Sequence, residues 1–258
     1  MEYKAIRLKI EGGVAVITLN RPDVMNALDA QMRAELLDAI KSAEREARVI
    51  VLTGAGKAFC SGQDLGGGAS LASADLERTL RDEYIPLLKA MSDSPIPIIA
   101  AVNGPAVGAG ASLALAADVV IASEAAVFLQ AFARIGLMPD AGATYLLPRQ
   151  VGLARAMGAA LFAEPVSAHQ AVEWGMIWEA VPEDDFETQW RSRASKLANG
   201  PTVAYSNTKK AMRSGLDKSM GEHLFYESRL QGQCGKTRDF KEGVIAFVEK
   251  RPATFEGR

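Results

Sequence analysis

Ile96-Pro97-Ile98-Ile99-Ala100-Ala101-Val102-Asn103-Gly104-Pro105-Ala106-Val107-Gly108-Ala109-Gly110-Ala111-Ser112 reads as a proline-flanked apolar strand, a glycine loop, and a helix opening near Ala109. The same plan occurs upstream. Asp29 is a candidate cap for a helix running to about Ala47, with Met32, Leu36, Leu37, Ile40 and Ala43 on one face. Val49 to Thr53 follows as a buried strand, closed by Gly54-Ala55-Gly56, and a second helix is expected around Leu76 to Met91. Strand and helix in alternation predict an α/β fold with crossover connections. Before the first helix, Tyr3 to Ile10 and Val14 to Leu19 are short alternating or β-branched runs separated by Glu11-Gly12-Gly13, the pattern of a hairpin.

Further along, Val119 to Ala122 predicts a short strand, and Leu161 to Ile177 reads mostly as helix with Ser167 as its cap. After Pro182 the pattern changes. Asp184 to Asn199, Thr202 to Ser214, Met220 to Gln233 and Phe240 to Glu249 are all helical in period, with few β-branched runs. The chain is therefore divided into a core over residues 1–195 and a helical region over 196–258.

The 258 residues are 48% hydrophobic, enough to bury one substantial core. Twenty-nine Lys and Arg against 31 Asp and Glu give a net charge of −2, which offers no global field for nucleic acid or an anionic membrane. Cys60 and Cys234 stand far apart, outside any metal or redox spacing, and fit a reduced, cytoplasmic setting. Met1 to Ile10 lacks the basic-then-apolar order of a signal peptide, and no apolar run is long enough to span a membrane. No metal site is expected.

Two glycine-containing loops each follow an expected strand: Gly56 to Leu65, and Asn103 to Ser112. Small residues at Gly108, Ala109 and Gly110 let backbone approach a ligand, so one N–H from each loop would suit a negative oxygen. Glycine turns after strands are also ordinary punctuation, and spacing alone leaves both readings open. Neither loop is a P-loop, since no Lys-Ser/Thr follows the glycines, and the Gly108-x-Gly110 pair lacks the third glycine of a dinucleotide fingerprint.

Asn20-Arg21-Pro22, Met25-Asn26-Ala27-Leu28, Ala58 to Leu65, Pro97 to Gly104, Gly136-Leu137-Met138-Pro139-Asp140-Ala141-Gly142 and Phe247 to Arg251 resemble, in order and spacing, the crotonase (enoyl-CoA hydratase/isomerase) superfamily. The resemblance spans essentially the whole chain. It implies a spiral of ββα units with a helical C-terminal region, assembled as a homotrimer or a dimer of trimers, that acts on an acyl-CoA without a separate cofactor. By position, the oxyanion-binding N–H groups would be those of Gln63 and Ala109. Met25, Ser61, Gly62, Asp64, Leu65, Gly110, Phe132 and Phe225 would lie along the coenzyme A and acyl group.

The superfamily's hydratases use two glutamates, and at those positions this sequence has Ser112 and Phe132. Neither side chain handles a proton as a carboxylate does. Asp140 stands where some isomerases of the superfamily carry their acting aspartate. It is equally well placed to cap a helix beginning near Ala141. With the apolar side chains of Phe132, Leu137, Met138 and Tyr145 nearby in sequence, a raised pKa would fit a base. His169 and His223 lie in helical segments among charged neighbours and are expected at the surface.

Within the superfamily the similarity extends over long stretches to the epoxyphenylacetyl-CoA isomerases of phenylacetate degradation, including Glu173-Trp174-Gly175-Met176-Ile177-Trp178. The resemblance thus implies an isomerase that shifts a double bond or converts a ring epoxide to an oxepin. The alternatives are a general enoyl-CoA isomerase or hydratase of fatty-acid oxidation, and a non-catalytic acyl-CoA-binding scaffold.

Overall fold

The computed structural model describes residues 3–66 and 75–258. Strands β1 (Ile6–Glu11) and β2 (Val14–Leu19) pair as an antiparallel hairpin. Helix α1 (Ala30–Glu46) then crosses to β3 (Val49–Gly54), which lies parallel to β2. The expected cap is in place: the Asp29 carboxylate accepts from Met32 N–H at 2.7 Å. Met32, Leu36, Ile40 and Ala43 are buried beneath α1 as their spacing requires.

The helix expected over Leu76 to Met91 forms as α2 (Leu76–Thr79), a π turn (Leu80–Tyr84) and α3 (Ile85–Asp93). Pro86 lies just after the π turn, inside a continuous helical run. Strand β4 (Ile98–Val102) extends the parallel sheet. Short β5 (Ala106–Val107) leads into α4 (Ala109–Leu115), then β6 (Val119–Ser123) and β7 (Val127–Leu129). With β8 (Val166–Ser167) and β9 (Glu179–Val181), the described residues form a main sheet in the order β1-β2-β3-β4-β6-β9 and a second sheet in the order β5-β7-β8.

Helices α5 (Ala143–Val151) and α6 (Leu153–Phe162) come next. Here the single helical reading of Leu161 to Ile177 is corrected. The chain leaves α6 through a left-handed Ala163, forms β8 (Val166–Ser167), and restarts as α7 (Ala168–Glu173) before β9 (Glu179–Val181). Ser167 does cap α7, accepting from Gln170 N–H at 3.2 Å. The helical period was right on both sides, but pairing of Phe128 with Val166 outweighs helix continuation between them.

The central strands β3, β4 and β6 are buried on both faces, which explains their unbroken apolar runs. One face packs on α1, α3 and α4. The other face, with Val49, Val51, Ile99 and Ile121, is covered by Phe186, Trp190 and Ala194 of α8 (Glu183–Ala198). This helix lies on the core sheet and spans the expected division at 195. Beyond it, α9 (Thr202–Gly215), α10 (Met220–Cys234) and α11 (Arg238–Glu249) form the helical region. A half-buried ion-pair cluster ties that region to the sheet: Asp118 accepts from Lys209 at 2.7 Å and Arg213 at 2.8 Å, and also from Ile98 N–H at 2.8 Å.

The two glycine loops dock backbone to backbone. Phe59 and Cys60 N–H groups both donate to Pro105 O at 3.1 Å, and Val107 N–H returns a bond to Cys60 O at 2.9 Å. A Cβ on Gly110 would stand 2.8 Å from the Cys60 side chain, and one on Gly62, which has a φ of +96°, would stand 2.7 Å from Val107 O. Gly110→Ala keeps a helical backbone but wedges the loops apart. It is expected to destabilise the fold by about 2–3 kcal/mol in denaturant unfolding.

Candidate active site

A cavity of about 580 Å³ lies where the docked loops meet the segment around Asp140. Its wall includes Ser61, Gly62, Gln63, Leu65, Ala109, Phe132 and Asp140, all expected from the sequence, together with Leu76, Leu80, Tyr84, Val107, Ile135 and Leu137.

Leu28 donates its N–H to Gly62 O at 2.8 Å and accepts from Asp64 N–H at 3.1 Å, a parallel bridge that straddles Gln63. In such pairing the straddled residue turns its own N–H to the opposite side. Gln63 N–H therefore faces away from Leu28, and Gln63 lines the cavity. Ala109 opens α4, where the first N–H groups have no intrahelical acceptor. The preceding Gly108 N–H is taken by Leu129 O at 2.8 Å. Among the described residues neither Gln63 N–H nor Ala109 N–H has an acceptor. The loops that carry them nearly touch: a Cβ on Gly62 would lie 3.5 Å from Ala109 N.

Asp140 is not a helix cap. Helix α5 starts at Ala143 behind Gly142, with no side chain bonded to its first turn. Ala141 and Gly142 both take left-handed conformations, φ 49° and 86°, and these two residues separate Asp140 from the helix start. Left-handed backbone at an alanine costs about 1 kcal/mol. The Asp140 carbonyl is anchored twice, by Ala143 N–H at 3.0 Å and by Ser112 Oγ at 3.0 Å. Its carboxylate, among the described residues, has no hydrogen-bond or ion-pair partner. Burial without a partner pushes the carboxyl pKa up to about 6. Of the four apolar residues expected around it, Phe132 and Leu137 line the cavity. Met138 and Tyr145 are largely exposed and lie off its wall.

Ser112 is fully buried, and its hydroxyl is donated to the Asp140 carbonyl, so it holds the loop that carries the carboxylate. Gly110 backs the wall against Cys60 instead of lining it. Met25 and Asp64, also expected at the site, do not line the cavity. Met25 O accepts from Ser61 N–H at 2.9 Å, in a turn stapled by buried Asn26, whose side chain donates to Ala55 O and Ala58 O at 2.9 Å. The Asp64 carboxylate accepts from Gly66 N–H and pairs with Arg21 at 2.7 Å, which together hold its pKa below the usual range. Phe225 lies on α10, 72% exposed and off this wall. Sequence reading missed Tyr84, Leu80 and Leu76. They come from the helix expected around Leu76 to Met91, to which the sequence assigned no site residue. Among the described residues no three His, Cys, Asp or Glu side chains converge to hold a metal, and no helix is long and apolar enough to cross a membrane.

Fold and site together define a crotonase-type protein. A crystal structure of enoyl-CoA hydratase from Bacillus anthracis superposes with a TM-score of 0.91 at 31% identity, covering 99% of this chain and 100% of that one. The enoyl-CoA hydratase/isomerase family model matches residues 9–258, and the chain belongs to that family. A "Probable enoyl-CoA hydratase" of Rhodobacter capsulatus is 60% identical over 258 residues, the whole of both chains. The 1,2-epoxyphenylacetyl-CoA isomerase of Escherichia coli is 42% identical over 254 residues, covering 96% of this chain and 97% of that protein.

The unpaired carboxylate has a thermodynamic consequence. Its folded-state pKa of about 6 exceeds the ordinary 3.8, so the folded state holds the proton more tightly. Stability therefore falls as pH rises through that window and levels off above it. Asp140→Asn removes the buried charge and is expected to stabilise the fold by about 1–2 kcal/mol at pH 8, an advantage that disappears at pH 4. Thermal unfolding at the two pH values checks this; a loss of stability at pH 8 would mark Asp140 as structural.

Proposed function

We propose that this enzyme is an acyl-CoA isomerase in which Asp140 is the proton carrier and the N–H groups of Gln63 and Ala109 stabilise the thioester enolate. The observation that carries the reading is Asp140 itself: a partnerless carboxylate of raised pKa on the wall of the cavity that Gln63 and Ala109 also line. Loss of a proton from the carbon beside a thioester carbonyl puts charge on the carbonyl oxygen, where two preorganised N–H donors stabilise it. Asp140 accepts that proton and returns it further along the conjugated system, which moves the double bond. Coenzyme A enters as part of the substrate, with Met25, Ser61, Asp64 and Leu65 along its path.

Hydration asks for more groups. It needs a positioned water and two proton-handling side chains, and Asp140 is the one carboxylate on the cavity wall among the described residues. Ser112 and Phe132 supply no substitute. The name of the Rhodobacter relative favours a hydratase as the second reading. For the substrate, the apolar wall and a volume of about 580 Å³ suit a compact acyl group such as an arene-derived ring. The likeness to the Escherichia coli isomerase supports 1,2-epoxyphenylacetyl-CoA, converted to its oxepin isomer.

The assembly we propose is a homo-oligomer, a trimer or a dimer of trimers, that covers the exposed Phe225, Phe247 and Val248 of the helical region. Sedimentation of a compact monomer at working concentration would overturn it.

Asp140→Asn is expected to lower isomerase kcat by ~10²-fold or more with acyl-CoA binding little changed. As the base must be deprotonated, kcat/KM of the unmodified enzyme should fall below a pH of about 6, well above an ordinary aspartate's range. Crotonyl-CoA hydration should be near background. Efficient hydration, or a fully active Asn variant, would refute the assignment.

A further inference from the structure

Gln63 is held by its side chain as well as by its backbone. Its Oε1 accepts from Tyr84 Oη at 2.6 Å and from Arg33 Nη1 at 2.9 Å. Arg33 is buried, with 4% of its surface exposed, and each of its guanidinium nitrogens is engaged. Nη1 also donates to Leu28 O at 2.6 Å, Nε and Nη2 donate to the Glu83 carboxylate at 2.8 and 2.6 Å, and the group sits 5.0 Å from the centre of the Tyr84 ring.

A buried cation costs several kcal/mol unless it is paired and fully hydrogen-bonded, so this cluster is an expensive way to fill space. Leu28 O is also the acceptor of the bridge that straddles Gln63, so Arg33 grips both sides of that residue. Glu83 and Tyr84 are consecutive residues in the π turn Leu80–Tyr84, and both reach Arg33. Such turns within helices are frequent at functional sites. Tyr84 also lines the cavity. Burial holds its phenol above the ordinary range, so it stays protonated, and its single proton is committed to Gln63. A phenol so engaged has none to offer a substrate.

We propose that Arg33 and Tyr84 are positioning residues that clamp the Gln63 side chain and thereby fix the aim of its backbone N–H at the thioester oxygen. The inference rests on the enolate-stabilising role given to that N–H. Donors of this kind work only when held within about half an ångström of their productive position. The Leu28 bridge restrains the Gln63 backbone on one side, and the clamp restrains rotation about it from the other.

Tyr84→Phe keeps the ring against Arg33 and deletes the bond to Gln63 Oε1. The probe is phenylacetyl-CoA carrying ¹³C at the thioester carbonyl, with exchange of its α-proton in D₂O as the kinetic readout and the infrared carbonyl band of the bound probe as the structural one. Loss of an oxyanion donor costs ~10²–10³-fold, so a mis-aimed donor is expected to slow saturated exchange by ~10-fold, with half-saturation changed by no more than ~2-fold. The red shift of the carbonyl band on binding should shrink in parallel. Arg33→Lys, which keeps a cation beside Glu83 but loses the forked grip, should act in the same direction. Band positions are read on folded, ligand-bound protein, so a lowered melting temperature alone does not mimic the effect. An unmodified protein that binds the probe without shifting its band overturns the enolate reading itself. A normal shift in the unmodified protein, with the same shift and exchange rate in both variants, overturns the clamp alone.

Discussion

The candidate site depends on the docking of one piece of backbone against another. Cys60 and Ala106 pair as a bridge between loops that belong to different strand-helix units, and the absence of side chains at Gly62 and Gly110 permits it. Once the loops are docked, the N–H groups of Gln63 and Ala109 have neither intrahelical nor interstrand acceptors among the described residues. Polar groups left this way inside a protein are costly, and a ligand oxygen removes the cost. The six-stranded sheet, buried on both faces, supplies the rigid base that holds the docking in register.

Asp140 shows the same trade between stability and function by a different physical route. Two left-handed residues separate its carboxylate from the first turn of α5, and its carbonyl is tied to Ser112 and Ala143. The side chain gains no partner in exchange. A carboxylate with good hydrogen bonds would be more stable and a weaker base; burial, with no such bonds to offset it, raises the pKa of this one toward neutrality.

Ser112 and Phe132, which stand where the resemblance puts the hydratase glutamates, have structural parts of their own. Ser112 becomes part of the support for the Asp140 loop, and Phe132 becomes wall. A serine at a buried helix position can bond only what lies within reach of one short side chain, and here that is the carbonyl of the proposed base.

Much of the fold was legible in the sequence because its signals are local. Apolar runs in β3 and β4, the α1 face, and the caps at Asp29 and Ser167 depend on neighbours within one turn or one strand. The candidate site was legible as glycine loops and a lone aspartate, through resemblance more than through spacing. From residues alone came the hairpin, α1, β3 and β4, the near-neutral charge, and a serine and a phenylalanine where the resemblance puts carboxylates. Tertiary structure alone decided that Asp140 is not a cap, that Tyr84 and Arg33 converge on Gln63, and that β8 interrupts a helical run. Each of these turns on contacts between residues distant in the chain, such as the 50 positions separating Arg33 from Glu83, and periodicity carries no record of such contacts.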